Sequence, residues 1–266
     1  MKPFETFQFN KTFGQNFISD KNLLNAIVND SGISFDDNVL EIGAGAGTLT
    51  QAICAKAKNV VSFEIDKKLT EFLQEKFAEQ NNLTLVFKDA LKTPIEEICT
   101  LFGGQKFHII ANLPYYITTP LIFKFLEETD AVQSITIMVQ KEVAEKIVAQ
   151  AGSKNYGIIS AILQYYCDCK ISRIVSKKMF TPVPKVDSAV ICMKRKSGVV
   201  FDAKFSWFVR ACFAMKRKTL VNNLQAAGFE KNMILQALEE LGFDFSVRAE
   251  TLNFVKIRQL FEILNK

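Results

Sequence analysis

The chain is poor in the residues that build metal centres and disulfide frameworks. It has one histidine, His108, and six cysteines (Cys54, Cys99, Cys167, Cys169, Cys192, Cys212) that lie in apolar segments with no CxxC spacing. Buried, reduced thiols are the expectation, and no metal is expected, since Cys167 and Cys169 form the one close pair and His108 is far from them in sequence. Long apolar runs are also lacking: none approaches the roughly 18 to 20 residues that span a bilayer. The opening Met1-Lys2-Pro3-Phe4-Glu5-Thr6 has no apolar signal core, so a cytoplasmic location without membrane contact is expected. There is no internal repeat and no low-complexity tract.

What is present is enough for a large core. Of 266 residues, 48% are hydrophobic, which suits one large domain or a large and a small one. The net charge of +5 is unevenly spread. From Lys177 to Lys218 eleven lysines and arginines stand against Asp187 and Asp202, an excess of nine positive charges that leaves −4 for the rest of the chain. A basic band on a mildly acidic body suggests a polyanionic partner, although a solvated basic face would look the same by charge alone.

Strand and helix patterns alternate after a polar, aromatic arm and a helix that Asp20 can cap. Strands are predicted over Val39–Gly43, Val60–Ile65, Leu83–Phe87, Phe107–Ala111, Ser134–Val139, Ile171–Val175 and Ser188–Met193. Short apolar strands separated by helices predict an α/β fold, a parallel sheet covered on both faces, with the last two strands able to pair as an edge hairpin. Past Lys194-Arg195-Lys196-Ser197-Gly198 only helical patterns remain. A large domain over residues 1–197 and a small all-helical one over 198–266 are expected.

The motifs fall at predicted strand ends. Glu41-Ile42-Gly43-Ala44-Gly45-Ala46-Gly47 joins the first strand to a helix, and its glycines allow a tight turn and close ligand approach. The GxGxG spacing lacks the GxGxxG that favours a dinucleotide. Glu64, 21 residues past Gly43 at the end of the second strand, suits ribose hydroxyls, and Asp89 after the third suits an adenine amine. Either acid alone could be a helix cap; together with the glycine turn they predict an adenosine-containing cofactor.

Asn112-Leu113-Pro114-Tyr115 follows the fourth strand. A side-chain amide oxygen and a backbone carbonyl there could accept both N–H bonds of an exocyclic amine, with Tyr115 stacking on the base. A plain proline turn is the structural alternative. Phe180, before the proline-rich Thr181-Pro182-Val183-Pro184, could offer a second stacking face or simply lead into an edge strand. His108, inside a strand pattern, fits a structural role.

These stretches resemble the small-subunit ribosomal RNA adenine dimethyltransferases, the KsgA family. The likeness runs from Phe13-Gly14-Gln15-Asn16-Phe17 through Glu41-Ile42-Gly43, Asn112 to Pro120 and Phe180 to Val190, into Lys216 to Leu224 and Arg248-Ala249-Glu250-Thr251-Leu252. It implies a Rossmann-like, seven-stranded class I methyltransferase sheet and an S-adenosylmethionine cofactor. It also implies dimethylation of two adjacent adenines near the 3′ end of small-subunit rRNA, with the assembling small subunit as partner and a monomeric enzyme. Carried over by position, Asn16, Ile18, Gly43, Gly45, Glu64, Asp89 and Asn112 would meet the cofactor, and Asn112, Leu113, Tyr115 and Phe180 the target base. Ile18 stands where leucine is usual and Ala44 where proline is common, differences that bear on cofactor affinity. Related large-subunit resistance enzymes usually carry isoleucine at the position of Leu113 and differ over Lys216 to Leu224. A relative without catalysis, acting as a nucleic-acid-binding assembly factor, is the third alternative, and intact Glu64, Asp89 and Asn112 argue against it.

Overall fold

The structure is a computed structural model that describes residues 17, 18 and 20–265. Asn16 and the motif segment 13–16 therefore lie outside the described residues. The chain divides into two compact units, one of residues 1–141 and 171–194, the other of 142–170 and 195–266. The expected boundary near 198 follows the switch to helical patterning; the second unit also takes in 142–170, which includes the first residues of the strand Cys167–Val175.

In chain order the first unit runs β1 (Phe17–Ile18), α1 (Lys21–Asp30), β2 (Asn38–Ile42), α2 (Thr48–Cys54), β3 (Asn59–Phe63), α3 (Thr70–Lys76), β4 (Leu83–Val86), α4 (Ile95–Thr100), β5 (Phe107–Asn112), α5 (Thr118–Glu127) and β6 (Val132–Gln140). Then come α6 (Lys141–Ile147), α7 (Ile158–Tyr166), β7 (Cys167–Val175), β8 (Phe180–Thr181) and β9 (Ser188–Arg195). Four helices follow: α8 (Ala203–Cys212), α9 (Leu220–Ala226), α10 (Lys231–Glu240) and α11 (Phe254–Leu264).

The large sheet has seven strands in the order β4-β3-β2-β5-β6-β9-β7. The first five pair in parallel, and β9 runs antiparallel to β6 with Ser134 opposite Lys194 and Gln140 opposite Ser188. β2 is buried along its whole length, as a central strand between two helical layers must be, and it buries Asn38 and Glu41 along with Val39, Leu40 and Ile42. The strand order reverses between β2 and β5, the topological switch point where doubly wound sheets open a crevice at their carboxyl ends. Asp20 caps α1 as expected, its carboxylate accepting the Asn22 and Leu23 N–H groups at 2.8 and 3.1 Å.

All seven predicted strands are present, some longer than expected. Three elements escaped the sequence pattern. α4 is a six-residue helix, too short for periodicity to register, and β1 and β8 form a separate two-residue antiparallel pair with Phe17 opposite Thr181 and Ile18 opposite Phe180. After β3 the chain makes a 3₁₀ turn at Lys67–Leu69, capped by Asp66, before α3 begins.

The helical core of the second unit is aromatic. Phe205 and Phe208 of α8 meet Phe261 of α11, with ring centroids 5.4 Å apart in each case. Asp202 caps α8 through the Phe205 N–H at 3.0 Å and takes Arg258 of α11 at 2.9 Å. One residue therefore fixes the start of one helix and ties it to another. Among the described residues, no helix is long and apolar enough to cross a membrane.

Candidate active site

The loop between β2 and α2 is shaped by three glycines with positive φ: Gly43 (84°), Gly45 (54°) and Gly47 (72°). The Gly43 N–H donates to the Phe63 carbonyl at 2.8 Å, which keeps the turn against the end of β3. A Cβ on Gly47 would stand 2.6 Å from the Phe77 ring, so both conformation and space require glycine there. The Lys76 ammonium donates to the Ala46 carbonyl at 2.7 Å and holds the loop from the side of α3.

Behind the loop lies Glu41, fully buried on β2. One carboxyl oxygen accepts from the hydroxyls of Thr50 and Ser62, each at 2.6 Å, while the other has no hydrogen-bond partner among the described residues. Burial raises its pKa to about 7, against the opposing pull of the Ser62 and Thr50 hydroxyls. The acid is thus a neutral or half-ionised anchor joining β2, β3 and α2.

Glu64, just past β3, turns its carboxylate to the loop. Oε2 accepts the Gly45 N–H at 2.7 Å and Oε1 the Asp66 N–H at 2.8 Å. Burial pushes its pKa up, and the N–H groups of Asp66, Gly45 and Ile65 pull it back. Asp89 follows β4, its Oδ1 accepting the Leu91 N–H at 2.9 Å. Asn112 ends β5 directly across the switch point from the glycine turn: a Cβ on Gly43 would lie 4.0 Å from its carbonyl oxygen.

These groups converge. A cavity of about 270 Å³ is lined by Ile18, Gly43, Gly45, Glu64, Asp89, Asn112 and Leu113, among others. Seven of the expected positions therefore share one space. Thr48, Ile117 and the exposed Tyr116 line it too, and none of these three was expected from the sequence. Tyr116 had a visible signal, a second aromatic beside Tyr115, but its direction depended on the 3₁₀ turn Tyr115–Ile117 that the helical pattern did not reveal. A set of two carboxylates, one amide and a glycine-lined wall suits an adenosine-bearing cofactor, with acceptors for ribose hydroxyls and a ring amine and apolar flanks for the base.

Two expected residues stand elsewhere. Tyr115 is half-buried beside the cavity but not in its lining, and its hydroxyl lies 2.8 Å from the Ser188 hydroxyl. Phe180 is 2% exposed and packs in the core with Ile18, Met138, Val175 and Val190. It is not among the residues that line the cavity, although Ile18, its partner across the β1–β8 pair, is. His108 makes structural contacts, with Ser134 at 2.7 Å and Asp37 at 3.5 Å, and burial lowers its pKa.

The basic band divides in two. Lys196 donates to the Gln164 carbonyl at 2.6 Å and lies over the Phe254 ring, and Arg210 donates to Ser206 at 2.8 Å, so both serve packing within the helical unit. Lys216, Arg217 and Lys218 are exposed in the loop before α9. Buried Asn223 shapes that loop by accepting from the Met215 N–H at 2.8 Å and donating to its carbonyl at 3.3 Å.

Counted by themselves, the seven strands run in the order 3-2-1-4-5-7-6, and with a glycine turn and acidic strand tips at the switch point they define a class I methyltransferase fold. Comparison with known proteins narrows this. The chain belongs to the ribosomal RNA adenine dimethylase family, which it matches over residues 6–266. It is 43% identical over 262 residues to ribosomal RNA small subunit methyltransferase A of Clostridium botulinum, covering 97% of this chain and 94% of that one. The enzyme of the same name from Bacillus mycoides is 41% identical over 268 residues, at 97% and 92% coverage. Among solved structures, a dimethyladenosine transferase from Plasmodium falciparum superposes with a TM-score of 0.81 at 27% identity, covering 94% of this chain and 97% of that one. The 23S rRNA methyltransferase ErmE superposes with a TM-score of 0.73 at 25% identity, over 94% and 100%.

Proposed function

We propose that this chain uses S-adenosylmethionine to dimethylate the exocyclic amines of two adjacent adenosines near the 3′ end of small-subunit rRNA, as a cytoplasmic monomer acting on the assembling subunit. The observation that carries this reading is the meeting of Glu64, Asp89 and Asn112, from three different strand ends, in one cavity beside the glycine turn. The small-subunit relatives at 41% and 43% identity support the choice of RNA.

S-adenosylmethionine supplies, when bound, an electrophilic methyl group. Glu64 would accept ribose hydroxyls on the lone pairs that Gly45 and Asp66 leave, and Asp89 would accept the amine of the cofactor's adenine. On the substrate side, an adenine amine is a poor nucleophile because its lone pair is delocalised into the ring. Accepting its two N–H bonds on the Asn112 amide oxygen and the Leu113 carbonyl favours a tetrahedral nitrogen with a localised lone pair. Tyr115 stacks on the ring and fixes its plane. The alkylated amine is acidic, so no strong general base is required.

The test is to incubate the protein with labelled S-adenosylmethionine and either under-methylated small subunits or large-subunit rRNA, then map the label. Dimethyladenine at two adjacent small-subunit positions supports the proposal. Label at one large-subunit adenine would assign it to the ErmE-like activity instead, and no label to a binding-only role.

A further inference from the structure

The segment Pro184-Lys185-Val186-Asp187-Ser188-Ala189-Val190 follows Phe180 in the chain, yet its strongest link to the site runs through another residue. Ser188 opens β9, is fully buried, and pairs with Gln140 at the end of β6. Its backbone is held from two sides by its neighbour: the Asp187 carbonyl accepts the Lys141 N–H at 3.0 Å, and Asp187 Oδ1 accepts the Lys177 N–H at 2.9 Å. From that fixed point the Ser188 hydroxyl shares a 2.8 Å hydrogen bond with the phenol of Tyr115. Tyr115 itself sits half-buried on a short 3₁₀ turn, directly after Asn112-Leu113-Pro114. A tyrosine side chain has two free torsions, and tying its far end to a buried strand sets both.

We propose that Ser188 is a positioning residue for methyl transfer: it holds the Tyr115 ring in the plane that stacks on the target adenine, touching neither base nor cofactor itself. This rests on the stacking role given to Tyr115 above. It makes the serine of the Asp187-Ser188 step part of the base-holding apparatus and assigns a job to the tyrosine hydroxyl, which stacking alone does not need.

The test is a double-mutant cycle of Ser188→Ala and Tyr115→Phe, with Tyr115→Ala as reference, read by single-turnover methyl transfer, cofactor affinity and thermal midpoint. Losing one hydrogen bond should slow transfer about 3- to 10-fold in each single variant. The double variant should be no slower than the slower single one, since both remove the same bond. Cofactor affinity should stay within about twofold, and Tyr115→Ala should lose far more than Tyr115→Phe. Wild-type transfer by Ser188→Ala, multiplicative losses in the double variant, or losses that track cofactor affinity and thermal midpoint would each overturn the proposal. If Ser188→Ala does not fold, wild-type transfer by Tyr115→Phe overturns it alone. Wild-type transfer by Tyr115→Ala would remove the stacking role itself, a separate failure recognisable because the reference variant shows it.

Discussion

At the scale of single residues, the site is built on carboxyl groups held in unlike surroundings. Glu64 is buried with backbone N–H donors on both oxygens, an arrangement that leaves acceptor capacity facing the cavity. Glu41, one strand away, has two hydroxyl donors on one oxygen and none on the other, and its pKa rises from 4.5 to about 7. Because the folded value lies above the unfolded one, the native state holds the extra proton between these limits. The stability contributed by Glu41 is therefore complete below about pH 4.5 and is lost as pH rises toward 7, a swing of roughly 3 kcal/mol. Glu41→Gln, which cannot ionise, should flatten the fall in stability between pH 5 and 7 and gain on the wild type above pH 7. Urea unfolding at a series of pH values checks this; parallel profiles for the two proteins would contradict it.

At the scale of elements, the glycine turn shows how one short stretch is bound to its neighbours. Gly47→Ala must adopt a φ of 72° and displace the Phe77 ring, whereas Gly32→Ala faces φ of 73° in open space. The second should cost about 1 kcal/mol of backbone strain, and the first roughly 1 to 3 kcal/mol more. Denaturant midpoints of the two variants give the comparison. The sequence was a good guide where an element announces itself by composition: buried parallel strands such as Val60–Val61 and Ile109–Ile110 read as apolar runs, and Asp20 and the glycines mark helix and turn limits. It was a poor guide to Phe180, whose environment is set by a two-residue strand pair bringing Ile18 beside it from more than 160 residues away in sequence. The Tyr115–Ser188 bond is hidden for the same reason, since partners 73 residues apart leave no local pattern. Strand-tip positions were legible because the fold fixes where tips go; side-chain directions at the tips were not.

At the scale of the whole molecule, the cavity and the exposed basic loop fall in different units of the chain. The cavity belongs to the first unit, and the exposed Lys216, Arg217 and Lys218 to the second. Replacing those three with glutamine should weaken binding to small subunits and lower the salt slope, by roughly 0.7 to 0.9 for each phosphate no longer neutralised. Cofactor affinity should not change. Affinities measured across a salt series test this, and an unchanged slope would make the loop a solvated face. Buried Asn223 adds a refinement: by holding Met215 it gives the three cations a fixed base, so the loop acts as a shaped surface and not as a loose charged tail.

Asn112 is proposed to act on the amine to be methylated. Single-turnover transfer by Asn112→Ala, measured beside its cofactor affinity, tests it most directly. The expected result is a cofactor Kd within a few-fold of wild type and a transfer rate lower on the order of 100-fold or more. Transfer at the wild-type rate would contradict it.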